Sequence, residues 1–191
     1  MPTTNPSAWP QGAEVTELAA ALLAQGRHLL NLRLGLESTA PAPHPALAQR
    51  GGCFVELHRG GARVASAGSF RPQGPLGEAL AQQLEAALAD MRLGSPTPDL
   101  RLEITALGTP DFIETPDEAS ALAQLRPGED AVVLFHGCRQ AGFLPRMWAE
   151  LPSPALLVAA LKHQLGREPT DWRGMMLARL PALCCMEDME C

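Results

Sequence analysis

An antiparallel β-hairpin is predicted by residues 53–70, which read CFVELHRGGARVASAGSF. Apolar and polar residues alternate over residues 53–58, as they do in a strand that has one buried face. The Gly60-Gly61 pair accepts the positive φ angles that a tight hairpin turn requires. The return strand, residues 63–70, is made mostly of small residues, and this composition favours the close approach of another group to its backbone.

Helices and further strands are predicted on both sides of this hairpin. Apolar residues recur at three- and four-residue steps over residues 14–34 and 76–93, the spacing of an amphipathic helix. Residues 100–107 alternate, and residues 131–135 form a continuous apolar run that is typical of a buried strand. Because hairpins and helices follow each other in no regular alternation, we expect an α+β fold with a largely antiparallel sheet flanked by helices.

Composition excludes several classes of partner. The chain of 191 residues carries 15 Lys and Arg against 21 Asp and Glu, a formal net charge of −6, which argues against nucleic acid and anionic membrane as partners. No apolar run of about 18 residues is present to span a bilayer. The first residues lack the pattern of a signal peptide, and the five cysteines are not spaced as a disulfide framework. We therefore expect a cytoplasmic protein.

The two ends of the chain differ in composition from the body between them. Residues 1–13 hold three prolines and are interpreted as a flexible lead, whereas residues 14–182 are interpreted as the folded domain. Residues 183–191, which read LCCMEDMEC, show no periodicity and are interpreted as a tail.

Thiol and thioether groups make this tail unusual. It contains Cys184, Cys185 and Cys191 together with two methionines, and donors of this kind bind Cu(I) or Zn(II). The acidic residues among them oppose thiolate formation unless a cation is present. Two interpretations remain open. The tail either binds metal or is modified by a partner enzyme, or it is a terminus with incidental cysteines.

Six short segments in a defined order resemble a known family. They read LLAQGR at 22–27, CFVEL at 53–57, RPQGPL at 71–76, DMRL at 90–93, LEITAL at 102–107 and GFLPR at 142–146, and Lys162 lies in the last predicted helix. This order is similar to that of the AMMECR-type domain, protein A of AmmeMemoRadiSam systems, over roughly residues 14–182. The resemblance implies two lobes with a cleft between them, the smaller lobe being contributed by parts of residues 100–150. It also implies a protein partner, either a Memo-type protein similar to metal dioxygenases or a radical SAM enzyme.

This chain departs from the family at its signature on the return strand, Leu-Arg-Gly-Cys-Ile-Gly. The arginine position holds Val64 and the cysteine position holds Ser66, whereas Gly68 and the following Ser69 are retained. The resemblance therefore implies a scaffold whose usual reactive groups are replaced. We expect a non-catalytic accessory or binding protein, with no evident cofactor in its body.

Two segments are placed at the predicted cleft by the same resemblance. The candidate binding residues are Arg63, Ser66, Gly68, Ser69, Arg71, His136, Arg139 and Arg146. Arginines that converge on a cleft bind carboxylates or phosphates through paired hydrogen bonds. The alternative function is therefore an enzyme acting on an anionic small molecule, with Ser66 and His136 in its site. Against it stands the interpretation of these arginines as solvated surface cations and of residues 136–142 as a polar turn.

Overall fold

The structure, a computed structural model, describes residues 9–91, 97–114 and 117–187. It consists of two units, which are described separately. The first is formed by residues up to Gly108 together with those from Leu183 onward, and the second is Thr109–Ala182. The second unit is larger than the lobe expected within residues 100–150, because the chain beyond residue 150 supplies a helix and a strand to its core.

The α+β class with antiparallel strand pairing is confirmed. In chain order the elements are α1 (Ala13–Arg33), β1 (Arg50–Arg59), β2 (Ala62–Pro75), α2 (Leu76–Ala89), β3 (Arg101–Leu107), β4 (Asp111–Ile113), α3 (Glu118–Leu122), β5 (Asp130–His136), β6 (Arg139–Phe143), α4 (Pro154–Gln164) and β7 (Met175–Met186). Short 3-10 turns occupy Pro45–Ala48 and Pro145–Ala149. None of the helices in the described ranges is long and apolar enough to cross a membrane.

Strand β1 is central in the first unit because it pairs antiparallel with both β2 and β3. Its turn into β2 uses Gly60 and Gly61 at positive φ, as the hairpin motif predicts. Val55 and Leu57 point from β1 into a core that helices α1 and α2 cover with leucines, among them Leu22. Since side chains alternate along a strand, Phe54, Glu56 and His58 are placed on the opposite face.

The last residues of β7 belong to the first unit and lie beside β3. The backbone N–H of Glu187 donates to the carbonyl oxygen of Leu102 at 3.0 Å. Arg27 of α1 donates through Nε to a carboxylate oxygen of Glu187 at 2.7 Å. The strand therefore continues to Met186, and the first four residues of the segment 183–191, interpreted as a tail, belong to it. Paired cysteines can continue a strand because a buried cysteine packs as a small apolar residue.

The second unit is centred on β5, which pairs antiparallel with β6 and with the first part of β7. Register pairs His136 with Arg139, so the turn between the strands contains only Gly137 and Cys138. The prediction of a polar turn over residues 136–142 is therefore wrong. A two-residue turn with Gly137 at φ 59° lets the strands continue to their ends.

Helix α3 is joined to α4 by a buried ion pair. Nζ of Lys162, which is fully buried, donates to both carboxylate oxygens of Glu118 at 2.7 Å and to the carbonyl oxygen of Pro169 at 2.6 Å. The N-cap of α3 is Asp117, which accepts from the N–H of Ser120 at 2.9 Å. The sequence Thr115-Pro116-Asp117-Glu118 itself predicts a helix that starts with Thr115 as its N-cap, and Thr115 lies outside the described residues.

Removing the acidic partner should cost more stability than removing the base. We expect Glu118→Ala to lower the free energy of unfolding by about 3 kcal/mol, because it leaves a buried ammonium group without its counterion. Lys162→Met should cost less, since it removes the buried charge and leaves Glu118, whose side chain is 29% exposed, in contact with water. Urea denaturation followed by tryptophan fluorescence measures both values. A larger loss for Lys162→Met would contradict this account.

Candidate functional site

A row of polar side chains crosses β2, β1, β3 and the end of β7. In register, Glu56 of β1 is paired with Ser66 of β2 on one side and with Glu103 of β3 on the other. On the far side of β3, Sγ of Cys184 donates to Oε1 of Glu103 at 3.4 Å. Glu56 and Glu103 are only 3% and 9% exposed. Two buried carboxylates thus lie directly opposite each other, an arrangement that destabilises a sheet unless other groups compensate their charge.

Glu56 is held from the β2 side. Nη1 of Arg63 donates to its Oε1 at 2.9 Å, and Oγ of Ser66 donates to the same oxygen at 3.2 Å. Ser66 is exposed, and the side chain of Arg63 is 52% exposed. Solvent therefore reaches this side of the row, and the pair of donors fixes the orientation of the Glu56 carboxylate.

His58 lies against Glu103 in an unusual way. Its Nε2 is 3.0 Å from Oε2 of Glu103, yet this buried atom has no hydrogen-bond partner of acceptable direction among the described residues. The ligand atoms of Glu56, His58 and Glu103 all lie within 4.8 Å of one another. We call these three residues the Glu–His–Glu cluster. Its geometry brings one imidazole nitrogen and carboxylate oxygens from two strands close together.

Gly68 shapes one end of the row through packing. It lies opposite Phe54 in register, and a Cβ placed on it would come within 1.9 Å of the Phe54 ring. The same ring makes an edge contact with Phe70, with their centroids 4.7 Å apart. The lack of a side chain at Gly68 therefore permits the ring of Phe54 to lie over β2, next to Glu56 on the same face of β1.

Ser69 and Arg71 interact with each other, at the exposed part of β2. Oγ of Ser69 accepts from the backbone N–H of Arg71 at 3.1 Å. This contact caps the backbone locally, and it does not join the row formed by Ser66, Glu56 and Glu103. Of the candidate residues in the first unit, the structure brings Arg63 and Ser66 together on Glu56.

Two candidate residues of the second unit, His136 and Arg139, lie at the turn that joins β5 to β6. Nη2 of Arg167 is 3.0 Å from both ring nitrogens of His136, and Arg139 is the exposed register partner of that histidine. Cys138 is exposed in the turn beside them, and Arg146 is exposed in the 3-10 turn that follows β6. Arg167 was not expected in this group. That these residues face Arg63 and Ser66 across a cleft stays a prediction.

The tail cysteines divide between two faces of β7. Cys185 is buried, and its Sγ donates to the carbonyl oxygen of Ile104, whereas Cys184 is exposed next to Glu103. Burial raises the pKa of Cys185 to about 12 and likewise that of Cys53. Neighbouring residues of one strand point in opposite directions, so Cys184 and Cys185 do not converge on a shared ion there. Cys191 lies outside the described residues, and metal binding by the tail stays a prediction.

The Glu–His–Glu cluster was absent from the residues predicted to form the site. Part of the signal is present in the sequence, since Glu56 and His58 are two residues apart in an alternating strand and must share a face. The position of Glu103 is not readable in the same way. It depends on the register between β1 and β3, which are separated by β2 and a helix.

Comparison with known proteins identifies the chain's relatives. The model of the AMMECR1 family matches residues 23–181. Among solved structures, the fold is similar to that in "Crystal Structure of Uncharacterized Protein PH0010 From Pyrococcus horikoshii", with a TM-score of 0.70 over 92% of each chain and 22% sequence identity. No curated protein matches the sequence. At this identity the solved structure supports the fold alone.

The contact between Gly68 and Phe54 can be tested by substitution. We expect Gly68→Ala to lower the free energy of unfolding by about 2 kcal/mol, because the new methyl group must displace an aromatic ring. In a Phe54→Ala background the same substitution should have little effect, since the space is then open. Urea denaturation of the four proteins in this cycle measures the coupling. Equal effects in both backgrounds would show that the ring is not the obstacle.

The cysteines should differ sharply in reactivity. At pH 8 a thiol with a pKa of about 12 is thiolate in only about one part in ten thousand, and the thiolate is the form that reacts with iodoacetamide. We expect Cys138 and Cys184 to be alkylated in the native protein, and Cys53 and Cys185 only after unfolding in urea. Peptide mass spectrometry with fragmentation distinguishes Cys184 from Cys185. Labelling of Cys185 as fast as Cys138 would contradict its burial.

Proposed function

Because this chain belongs to the AMMECR1 family, we propose that it is a non-catalytic accessory protein that works with a metalloenzyme. The family itself has no characterised function. Its resemblance to protein A of AmmeMemoRadiSam systems supports two partners of stated chemistry, a Memo-type protein similar to metal dioxygenases and a radical SAM enzyme. Fold membership alone carries no activity, so the chemistry of the site has to support the proposal.

The observation that carries the proposal is the contact of Ser66, which stands at the family's cysteine position. Its hydroxyl donates to Glu56, and that carboxylate is also bound by the guanidinium of Arg63. A serine nucleophile needs a base that can accept its proton, and a carboxylate held by a guanidinium is a poor one. Val64, at the family's arginine position, packs against the core of the first unit and brings no charge. The signature window is thus poorly suited to nucleophilic catalysis.

The alternative, an enzyme acting on an anionic small molecule, is favoured by one observation. Arg63 is half exposed beside an exposed hydroxyl, and a guanidinium in that position can bind a carboxylate or phosphate. His136, the residue that would act as the base of such an enzyme, is less suitable, because both of its ring nitrogens lie against the guanidinium of Arg167. A cation in that position restricts the ring nitrogens that would take a proton from substrate.

Direct binding to a purified partner tests the accessory role. We expect isothermal titration calorimetry to show a one-to-one complex with the Memo-type protein or the radical SAM enzyme of the same genome, with a Kd of about 10 μM or tighter. Ser66→Ala should leave this Kd unchanged within about twofold, because the hydroxyl satisfies Glu56 and performs no chemistry. Absence of a complex with either enzyme would contradict the proposal. So would substrate turnover by the isolated chain that Ser66→Ala abolishes.

A further inference from the structure

We propose that the Glu–His–Glu cluster, Glu56, His58 and Glu103, binds one divalent ion of the first transition series, with Zn²⁺ as the representative ion. The three ligand atoms come from adjacent strands and lie within 4.8 Å of one another. This inference goes beyond the accessory role and does not depend on it. It rests on the position of one buried nitrogen, on the charge of two buried carboxylates, and on the donors that orient them.

The distance between His58 and Glu103 suits either a hydrogen bond or two ligands of one ion, but the direction is not that of a hydrogen bond. Nε2 and Oε2 are 3.0 Å apart, yet the buried nitrogen has no hydrogen-bond partner of acceptable direction among the described residues. Metal–nitrogen and metal–oxygen bonds are about 2.1 Å long, so two ligands of one ion are about 3.0 Å apart at a right angle and about 3.4 Å apart at the tetrahedral angle of Zn²⁺. Two ligand atoms that both point towards an ion between them lie at such a distance, although neither points directly at the other.

The charges of the cluster also favour a cation. Glu56 and Glu103 are register partners on neighbouring strands, and both are buried. Buried carboxylates need a compensating partner, and like charges directly opposite each other destabilise a sheet. Arg63 reaches Oε1 of Glu56 from a half-exposed position, and Nε2 of His58 lies 3.0 Å from Oε2 of Glu103. A divalent ion between the strands would compensate both carboxylates at once.

The two carboxylates are oriented from outside the cluster by neighbouring donors. Ser66 donates to Glu56, and Cys184 donates to Glu103. Metal-binding carboxylates are commonly held by such outer hydrogen bonds, which fix the ligand atoms before the ion arrives. Ser66 is therefore a positioning residue for Glu56.

The donor set selects among cations. Mg²⁺ and Ca²⁺ prefer six or more oxygen ligands, whereas an imidazole nitrogen beside carboxylate oxygens suits Zn²⁺, Fe²⁺, Mn²⁺ or Co²⁺. Three protein ligands leave at least one position for water or for an external group. The exposed side of the row at Ser66 and Arg63 provides the route of entry.

Metal titration of the full chain tests the proposal without any assay of activity. After treatment with EDTA, we expect the protein to bind one equivalent of Zn²⁺ with a Kd of about 10 μM or tighter, measured by competition with a chromophoric chelator. His58→Gln and Glu56→Gln should each weaken Zn²⁺ binding at least tenfold. The loss of a residue that binds the ion directly should cost more affinity than the loss of an outer hydrogen bond. His163→Gln, which alters an exposed histidine of α4, is the matched control and should leave the Kd unchanged.

Two further measurements keep the result decisive if a variant folds poorly. In the unaltered protein, Zn²⁺ should shift the ¹⁵N resonances of one histidine ring, and His58→Gln should remove that signal from the spectrum. Co²⁺ should give a visible spectrum without a sulfur-to-metal charge-transfer band. A strong band of that kind would place the ion on the tail cysteines and overturn the proposal. So would a Kd for Zn²⁺ weaker than about 1 mM, or equal affinity in His58→Gln and the unaltered protein.

Discussion

The register of β1 between β2 and β3 is the constraint from which the rest of the first unit follows. Because side chains alternate along a strand, a slip of one residue would carry Val55 and Leu57 to the polar face and Glu56 into the core. Such a slip is unfavourable because Val55 and Leu57 pack against the leucines of α1 and α2 only in the observed register. The hydrophobic core therefore determines the position of the polar row on the opposite face.

Local features of the fold were readable from the sequence for physical reasons. Helix periodicity in α1 and α2 and the double glycine of the hairpin each act over a few residues, and each was confirmed. Alternation over residues 100–107 correctly predicts the strand β3, but the solvated face that such alternation implies is wrong, since Glu103 and Thr105 are buried. Boundaries that depend on a distant partner were missed. Residues 184–186 have no pattern of their own and become a strand because β3 offers hydrogen bonds, and the β5–β6 turn tightens because register extends to His136 and Arg139.

The candidate site divides in the same way. Ser66 and Arg63 could be selected from the family signature and from composition, and they do meet on Glu56. Glu103 could not, since its place beside Glu56 is a property of non-local pairing. Arg167 was missed beside His136 for a similar reason: it follows α4 in the chain and reaches β5 only through the tertiary fold of the second unit. The pattern of a single sequence shows which residues share one face of a strand. It does not show which strand will be the neighbour of that strand in the sheet.

Two of the buried charged groups among the described residues illustrate different uses of the same physics. Lys162 is surrounded by Glu118 and a carbonyl oxygen, so its charge is compensated within one unit and the contact serves to hold two helices. Glu56 and Glu103 combine like charges on adjacent strands, which costs stability relative to an apolar pair. The cation proposed for the Glu–His–Glu cluster would stabilise the folded state, because the free energy of its binding adds to that of folding.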